Sequence, residues 1–309
     1  MLDQVAKKRM RFRLAVFTAF VISPIMCVAV MWFSAPPWEA NWWESFAVAH
    51  AVMAFLMYAG NWAWAGTPLR WAFPIALIAA TYHSAGTRGA LLSAGSLLVL
   101  YGIPRIRLRM TAPTAEAVPL ALPFSDGLYY AGQGGQTKLL NHHNGLKSQK
   151  YAVDFLRLNG ARMRCRGFYP KELERYSIYG ATVASPCDGE VTVAIDGHPD
   201  FPPPHSDPRH ASVNYILIRH ASLPDTYVLL AHLKQGSVAV KVGDRVQTGQ
   251  AVGQVGNSGN STEPHLHIQI KKGGLPGVWS DGEGAPMIFG GNFLVRGDLA
   301  RATQPAQSA

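Results

Sequence analysis

The sequence predicts an N-terminal α-helical transmembrane region followed by a C-terminal all-β domain. Three observations predict this: long uncharged apolar runs in the first third of the 309 residues, an uneven split of charge, and short β-branched runs separated by Gly, Asp and Asn in the remainder. A chain of this length exceeds the roughly 100 to 200 residues of one ordinary domain. With 48% apolar and 15% charged residues it is neither disordered nor fibrous. The mean hydropathy of +0.05 averages two compositions. The boundaries read from the sequence are a membrane region at 1–109, a linker at 110–123, a β domain at 124–295 and a flexible tail at 296–309.

The helical elements come first. Leu14 to Phe33 carries no charge, and at about 1.5 Å per residue it covers a hydrocarbon core of about 30 Å. Ser45 to Leu69 is also free of Asp, Glu, Lys and Arg, with Trp42, Trp43, Trp62 and Trp64 near its ends, as interfacial belts have. Trp71 to Thr87 and Gly89 to Pro104 are shorter runs separated by Arg88, so they read as two short spans or as one span and an interfacial segment. The basic start followed by an apolar run resembles a signal peptide, but its length and the apolar runs after it favour an uncleaved anchor.

Charge supports the same division. Met1 to Arg109 holds ten Lys/Arg against three acids, whereas the remainder is nearly balanced. The basic residues flank the apolar runs, where cations set membrane orientation, and no basic stripe is interleaved with aromatics. A nucleic-acid partner is therefore excluded and a lipid bilayer is expected.

After Arg109, Thr111 to Pro123 is an Ala/Pro/Thr linker. Strands are then expected within Ser185–Gly197, Val213–His220, Tyr227–Leu233, Ala251–Val255 and His265–Lys271. Their spacing, with turn residues between them, indicates a sandwich or barrel.

Chemistry concentrates in HLHIQIKK. On a strand His265, His267 and Gln269 share one face, and Leu266, Ile268 and Ile270 the other. His232 ends another apolar strand. Upstream, His142 and His143 lie in a polar loop and Asp154 on a short apolar strand. Two histidines and a carboxylate from separate segments suit a catalytic zinc with an open position for water. On residue types alone, structurally satisfied histidines are the alternative. There is no HExxH motif, and no Ser or Cys nucleophile is required.

The order of these residues, with GDRVQTGQ, GNSGNS and HLH in succession and IYGATVASPCDGEV before them, resembles the lysostaphin-type, or LytM-like, zinc metallopeptidases. The resemblance covers roughly Pro123 to Ile270. It implies a duplicated-hybrid-motif-like antiparallel metallopeptidase domain and one Zn2+ per chain, held by His143, Asp154 and His267. His232 and His265 would be the catalytic pair. Peptidoglycan peptides or a protein would be the substrate. The common spacing puts the first His four residues before the Asp, whereas ten residues separate His143 from Asp154 here. A variant N-x-H…Q-x-Y-A-x-D pattern matches Asn141, His143, Gln149, Tyr151, Ala152 and Asp154, and leaves His142 as the alternative ligand.

Two other functions share parts of this pattern. A catalytically silent, membrane-anchored relative that binds or activates cell-wall hydrolases would show degraded ligand positions, and this chain keeps all of them. A biotinyl-type carrier domain would need a Lys at the hairpin tip, which here is Gln247-Thr248-Gly249. Cys165 and Cys187 suggest a disulfide, with two buried thiols as the alternative. The expected location is the bacterial inner (cytoplasmic) membrane with the catalytic domain on the extracytoplasmic side. A basic, cytoplasmic N-terminus then requires an odd number of spans, taken as three, although Arg105, Arg107 and Arg109 argue for four.

Overall fold

The computed structural model describes Ala15 and residues 18–34, 40–207, 209 and 213–302. The basic start (Lys7 to Arg13), the beginning of the first apolar run and residues 303–309 lie outside the described residues. The chain divides into two units, the first reaching Thr111 and including Ala161–Met163, the second comprising Ala112–Gly160 and the rest from Arg164.

In the first unit the apolar runs form helices. A π-helical turn, Thr18–Ile22, leads into Ser23–Phe33, followed by Ala40–Ala59 and then Leu69–Leu97, which continues through Leu98–Gly102 into Ile103–Met110. The stretch Leu69–Met110 is long and apolar enough to cross a membrane by length and composition. It is not straight. Gly86 takes φ 64° and ψ −158°, a conformation open to glycine, and breaks the helix. Arg70 Nη2 donates to the Tyr101 hydroxyl at 3.0 Å. In a straight helix those residues would stand about 46 Å apart, so the two arms fold back on one another. The runs Trp71–Thr87 and Gly89–Pro104 thus lie essentially on separate arms. Met31, Trp42, Met53 and Leu77 form the buried seam of the unit.

The second unit is built on a nine-stranded sheet. Its strands are β1 (Val118–Leu120), β2 (Gly127–Gln133), β3 (Val153–Arg157), β4 (Thr182–Ala184), β5 (Gly189–Ile195), β6 (Tyr215–His220), β7 (Thr226–Ala231), β8 (Arg245–Val246), β9 (Ala251–Gln254), β10 (Leu266–Lys272), β11 (Glu283–Ala285), β12 (Met287–Phe289) and β13 (Leu299–Ala302). The order across the sheet is β13-β2-β3-β10-β7-β6-β5-β8, with β11 on β10, and every pairing within it is antiparallel. The five strands expected from alternation and turn residues correspond to β5, β6, β7, β9 and β10.

Two boundaries shift. Val118 and Leu120, read as linker, are apolar at alternate positions and bury in the core as β1, parallel to β12. Leu299–Ala302, read as tail, adds β13 to the edge of β2.

Alternation places the chemistry. Val153 and Phe155 of β3 and Leu266, Ile268 and Ile270 of β10 enter the main core, so Asp154, His267 and Gln269 face the opposite side. The expected disulfide is absent: Cys165 and Cys187 are separate buried thiols. Cys187 belongs to the main core, where burial pushes its thiol up to about 12, while Cys165 donates to the Gly167 carbonyl at 3.0 Å.

Candidate functional site

The site forms where β3, β10 and the end of β7 lie side by side. Asp154 and His267 are direct cross-strand partners, and His267 is also opposite Ala231, whose next residue is His232. Three sequence segments therefore meet through sheet register alone.

His143 arrives from a loop. Asn141, fully buried, caps a short 3₁₀ turn by accepting from the His143 backbone N–H at 3.2 Å, and its amide donates to the carbonyls of Gly135 and Ala152 at 3.0 Å each. The ten residues between His143 and Asp154 fold through a second turn, Lys147–Gln149, and bring the pair together. His143 Nε2 lies 3.0 and 3.1 Å from the Asp154 carboxylate oxygens. His267 Nδ1 lies 3.0 Å from Oδ1 of the same carboxylate.

The outward nitrogens are committed elsewhere. His143 Nδ1 lies 2.9 Å from Gln149 Oε1, and His267 Nε2 lies 2.9 Å from Gln269 Oε1. The Gln269 amide donates to the Trp279 carbonyl at 3.2 Å, which fixes its oxygen toward His267. Each ring therefore donates outward, and in its neutral form turns a bare nitrogen toward an ionised carboxylate. Burial opposes ionisation of Asp154; protonated, the same rings donate to it and, with His265, hold it well below the usual carboxylate range. Three lone-pair donors facing one another are reconciled by a cation between them. The imidazole-to-carboxylate separations of 3.0 to 3.1 Å approach the roughly 3.3 Å edge of a tetrahedron with arms of about 2.0 Å. The donor set fits zinc, with two amide side chains orienting the imidazoles from behind.

His142 belongs to a second candidate donor set, with His143 and Asp154. It is exposed, and its ring lies 3.9 Å from that of His143. Its donor atom lies within 4.8 Å of those of His143 and Asp154. His143 alone of the two is buried against the carboxylate.

The remaining histidines border the same centre. His232 is 6% exposed, and its ring lies 4.8 Å from that of His265 and 6.0 Å from that of His267. Its Nδ1–H donates to the Ser258 carbonyl at 2.8 Å, leaving Nε2 bare. Burial, followed by His265 and His267, keeps it well below the usual histidine value and therefore neutral. His232 takes φ 64°, rare for a non-glycine residue. Gly256 makes the arrangement feasible: a Cβ there would collide with Lys234 and Asp200, and its N–H donates to the His232 carbonyl at 2.9 Å. His265 donates Nδ1–H to the Glu263 carbonyl at 2.9 Å, and its Nε2 lies 3.7 Å from Asp154 Oδ1.

All five residues singled out from the sequence thus come together. The orienting amides were missed as such, although Gln149 stands in the Q-x-Y-A-x-D stretch and Gln269 shares the histidine face of β10.

Two histidines therefore flank a His/His/Asp donor set on an antiparallel sheet. Residues 176–277, about a third of the chain, match the family described as Peptidase family M23. The matched span contains His232, His265 and His267, and His143 and Asp154 precede it. Two peptidoglycan DD-endopeptidases of Vibrio cholerae serotype O1 are similar over short stretches. ShyC is 40% identical over 62 residues, 20% of this chain and 13% of that protein. ShyA is 38% identical over 63 residues, 20% of this chain and 14% of that protein. The matched stretch therefore spans about a seventh of each relative's length. The solved structure of lysostaphin from Staphylococcus simulans is 20% identical, covering 52% of this chain and 47% of that one, with a TM-score of 0.30. A likeness that loose carries no weight for function.

Proposed function

We propose that this chain is a membrane-anchored zinc metallo-endopeptidase that hydrolyses peptide bonds in peptidoglycan cross-links. The observation that carries the reading is the convergence of bare imidazole nitrogens from His143 and His267 on the Asp154 carboxylate, with two further histidines at its edge.

In this reading His143, Asp154 and His267 hold the metal. Bound zinc would lower the pKa of a coordinated water toward ~7 and polarise a peptide carbonyl. His265 keeps Nδ1–H on the Glu263 carbonyl and so turns Nε2 inward as the acceptor of the water's proton. His232, neutral and with Nε2 bare, is a second acceptor. Either ring, once protonated, can stabilise the developing oxyanion or deliver the proton to the departing amine.

Incubating the purified protein with defined cross-linked wall peptides, with and without zinc, tests the reading. Mass-identified cleavage that disappears on chelation and returns with zinc is expected. Zinc binding without cleavage of any wall peptide or protein would favour the silent, hydrolase-activating module instead. The proposed location is the bacterial inner membrane with the peptidase domain outside the cytoplasm, which an odd number of crossings satisfies. Reporter fusions near Thr114 that work only in the cytoplasm would refute that placement.

A further inference from the structure

Arg164 is a buried cation outside the metal centre. Its side chain is 1% exposed, and its Nε donates to Glu263 Oε2 at 2.6 Å. The rings of Tyr169 and Tyr176 lie 5.8 and 5.7 Å from the guanidinium carbon. A desolvated ion pair is weak evidence of added stability, since the cost of burying both charges offsets much of their attraction. What it does supply is a defined geometry.

That geometry is imposed on one turn. Tyr169 donates its hydroxyl to the Thr262 carbonyl at 3.1 Å, so the segment after β3 grips two consecutive residues, Thr262 through its backbone and Glu263 through its side chain. The Glu263 carbonyl accepts Nδ1–H of His265 at 2.9 Å and the Ser261 hydroxyl at 2.9 Å. Pro264, with a fixed φ and no N–H, joins that carbonyl to His265. The other group near His265 Nδ1 is the Ser261 hydroxyl, at the longer distance of 3.2 Å.

From this arrangement we infer that Arg164, Tyr169 and Glu263 form a clamp that positions His265, fixing its Nδ1–H tautomer and aiming Nε2 at the reaction centre. The inference rests on the peptidase reading and adds three positioning residues to it.

The full-length, zinc-loaded protein tests this with histidine ¹⁵N NMR beside steady-state kinetics. Wild type should show His265 as the Nδ1–H tautomer, assigned by the signal lost in His265→Gln. Arg164→Met and Glu263→Gln should show mixed tautomers and a kcat about 10- to 100-fold lower on a wall peptide, with KM and zinc content unchanged. Arg164→Lys, which can still pair with Glu263, should recover the wild-type tautomer and much of the kcat. Tyr169→Phe should shift both readouts in the same direction by less, and it keeps the test decisive if the charge variants do not fold. A wild-type tautomer signal in a folded Arg164→Met or Glu263→Gln protein would overturn the clamp, as would a kcat loss that tracks zinc loss. If the unmutated protein cleaves nothing while the His265 signal still responds to these substitutions, the peptidase reading fails and the clamp stands.

Discussion

The two units bury opposite things. In the β unit, apolar side chains such as Phe155, Leu230 and Ile268 turn inward, and several of the buried polar groups gather around Asp154. In the helical unit Met31, Met53 and Leu77 are buried, yet Val48, Ile75, Leu91 and Leu98 are each more than half exposed. Its buried polar groups, among them His50, Thr81 and Ser93, are distributed along the helices. Water rarely tolerates so much outward apolar surface on a monomer. The contrast is between a unit that turns apolar side chains outward and one that gathers buried polar groups around Asp154.

Substitution at that carboxylate should have the largest effect. His143→Ala, Asp154→Ala and His267→Ala are each expected to lose zinc and lower hydrolysis by roughly 10³ or more, because three protein ligands are the usual minimum for catalytic zinc. His232→Ala and His265→Ala should keep near-stoichiometric zinc while turnover falls on the order of 10² to 10³. Elemental analysis paired with peptide hydrolysis distinguishes the two groups; metal loss in the His232 variant would show that the roles are misassigned.

The next effect probes the helical surface. Val48→Lys places a charge in the middle of Ala40–Ala59, and it should cost about 2.5 to 3.5 kcal/mol if that face meets hydrocarbon. Val242→Lys, at an equally exposed apolar position of the β unit, should stay within about 0.5 kcal/mol. The amount of each variant recovered in the membrane fraction reports the difference. Equal recovery would mean that the Val48 face meets water.

Much of this arrangement was legible in the sequence, and the reasons are local. Period-two alternation in HLHIQIKK already put His265, His267 and Gln269 on one face, and the strand β10 keeps them there. Order along the chain, through the family resemblance, nominated His143 and Asp154. What joined them was not local: the cross-strand register of Asp154 with His267 and the Asn141 cap are decided by tertiary pairing. The boundary strands β1 and β13 were unreadable for a related reason, since three or four residues show too little alternation and acquire their partners from far along the chain. The cysteines misled because residue type and compartment say nothing about distance. Arg164 and Glu263 lie 99 residues apart, and no pattern in the sequence joined them.

A smaller effect should come from the amides behind the ligands. Gln269→Leu leaves the His267 ring unoriented, and outer-shell losses of this kind typically lower metal affinity about 10- to 100-fold. Ser93→Ala removes a comparable partner from His50, whose Nε2 lies 2.6 Å from the Ser93 hydroxyl in the helical unit, and should leave zinc affinity unchanged. Competition against a chromogenic chelator measures both. An unaltered affinity in the Gln269 variant would remove the orienting role assigned to that amide.

The smallest expected effect is on the pH dependence of stability in metal-free protein. Burial, with His265 and His267 nearby, depresses the folded-state pKa of His232 well below its ordinary value. As pH falls through about 6.5, the unfolded chain takes up a proton that folded His232 refuses, so the folded state loses stability on acidification. Between pH 7.5 and 5.5 one such histidine accounts for about 1.4 kcal/mol. Asp154 has a dependence of the same sign in a lower window: its depressed carboxyl pKa contributes stability above the ordinary carboxylate value of about 3.8, lost only as pH falls further, and so adds nothing between pH 7.5 and 5.5. Hydrogen exchange at the β10 amides, corrected for the intrinsic effect of pH, gives the opening free energy at both values. The wild type should lose about 1.4 kcal/mol more than His232→Asn between them. Identical losses would mean that His232 takes up its proton without unfolding, and the neutral imidazole assigned to the resting site would be wrong.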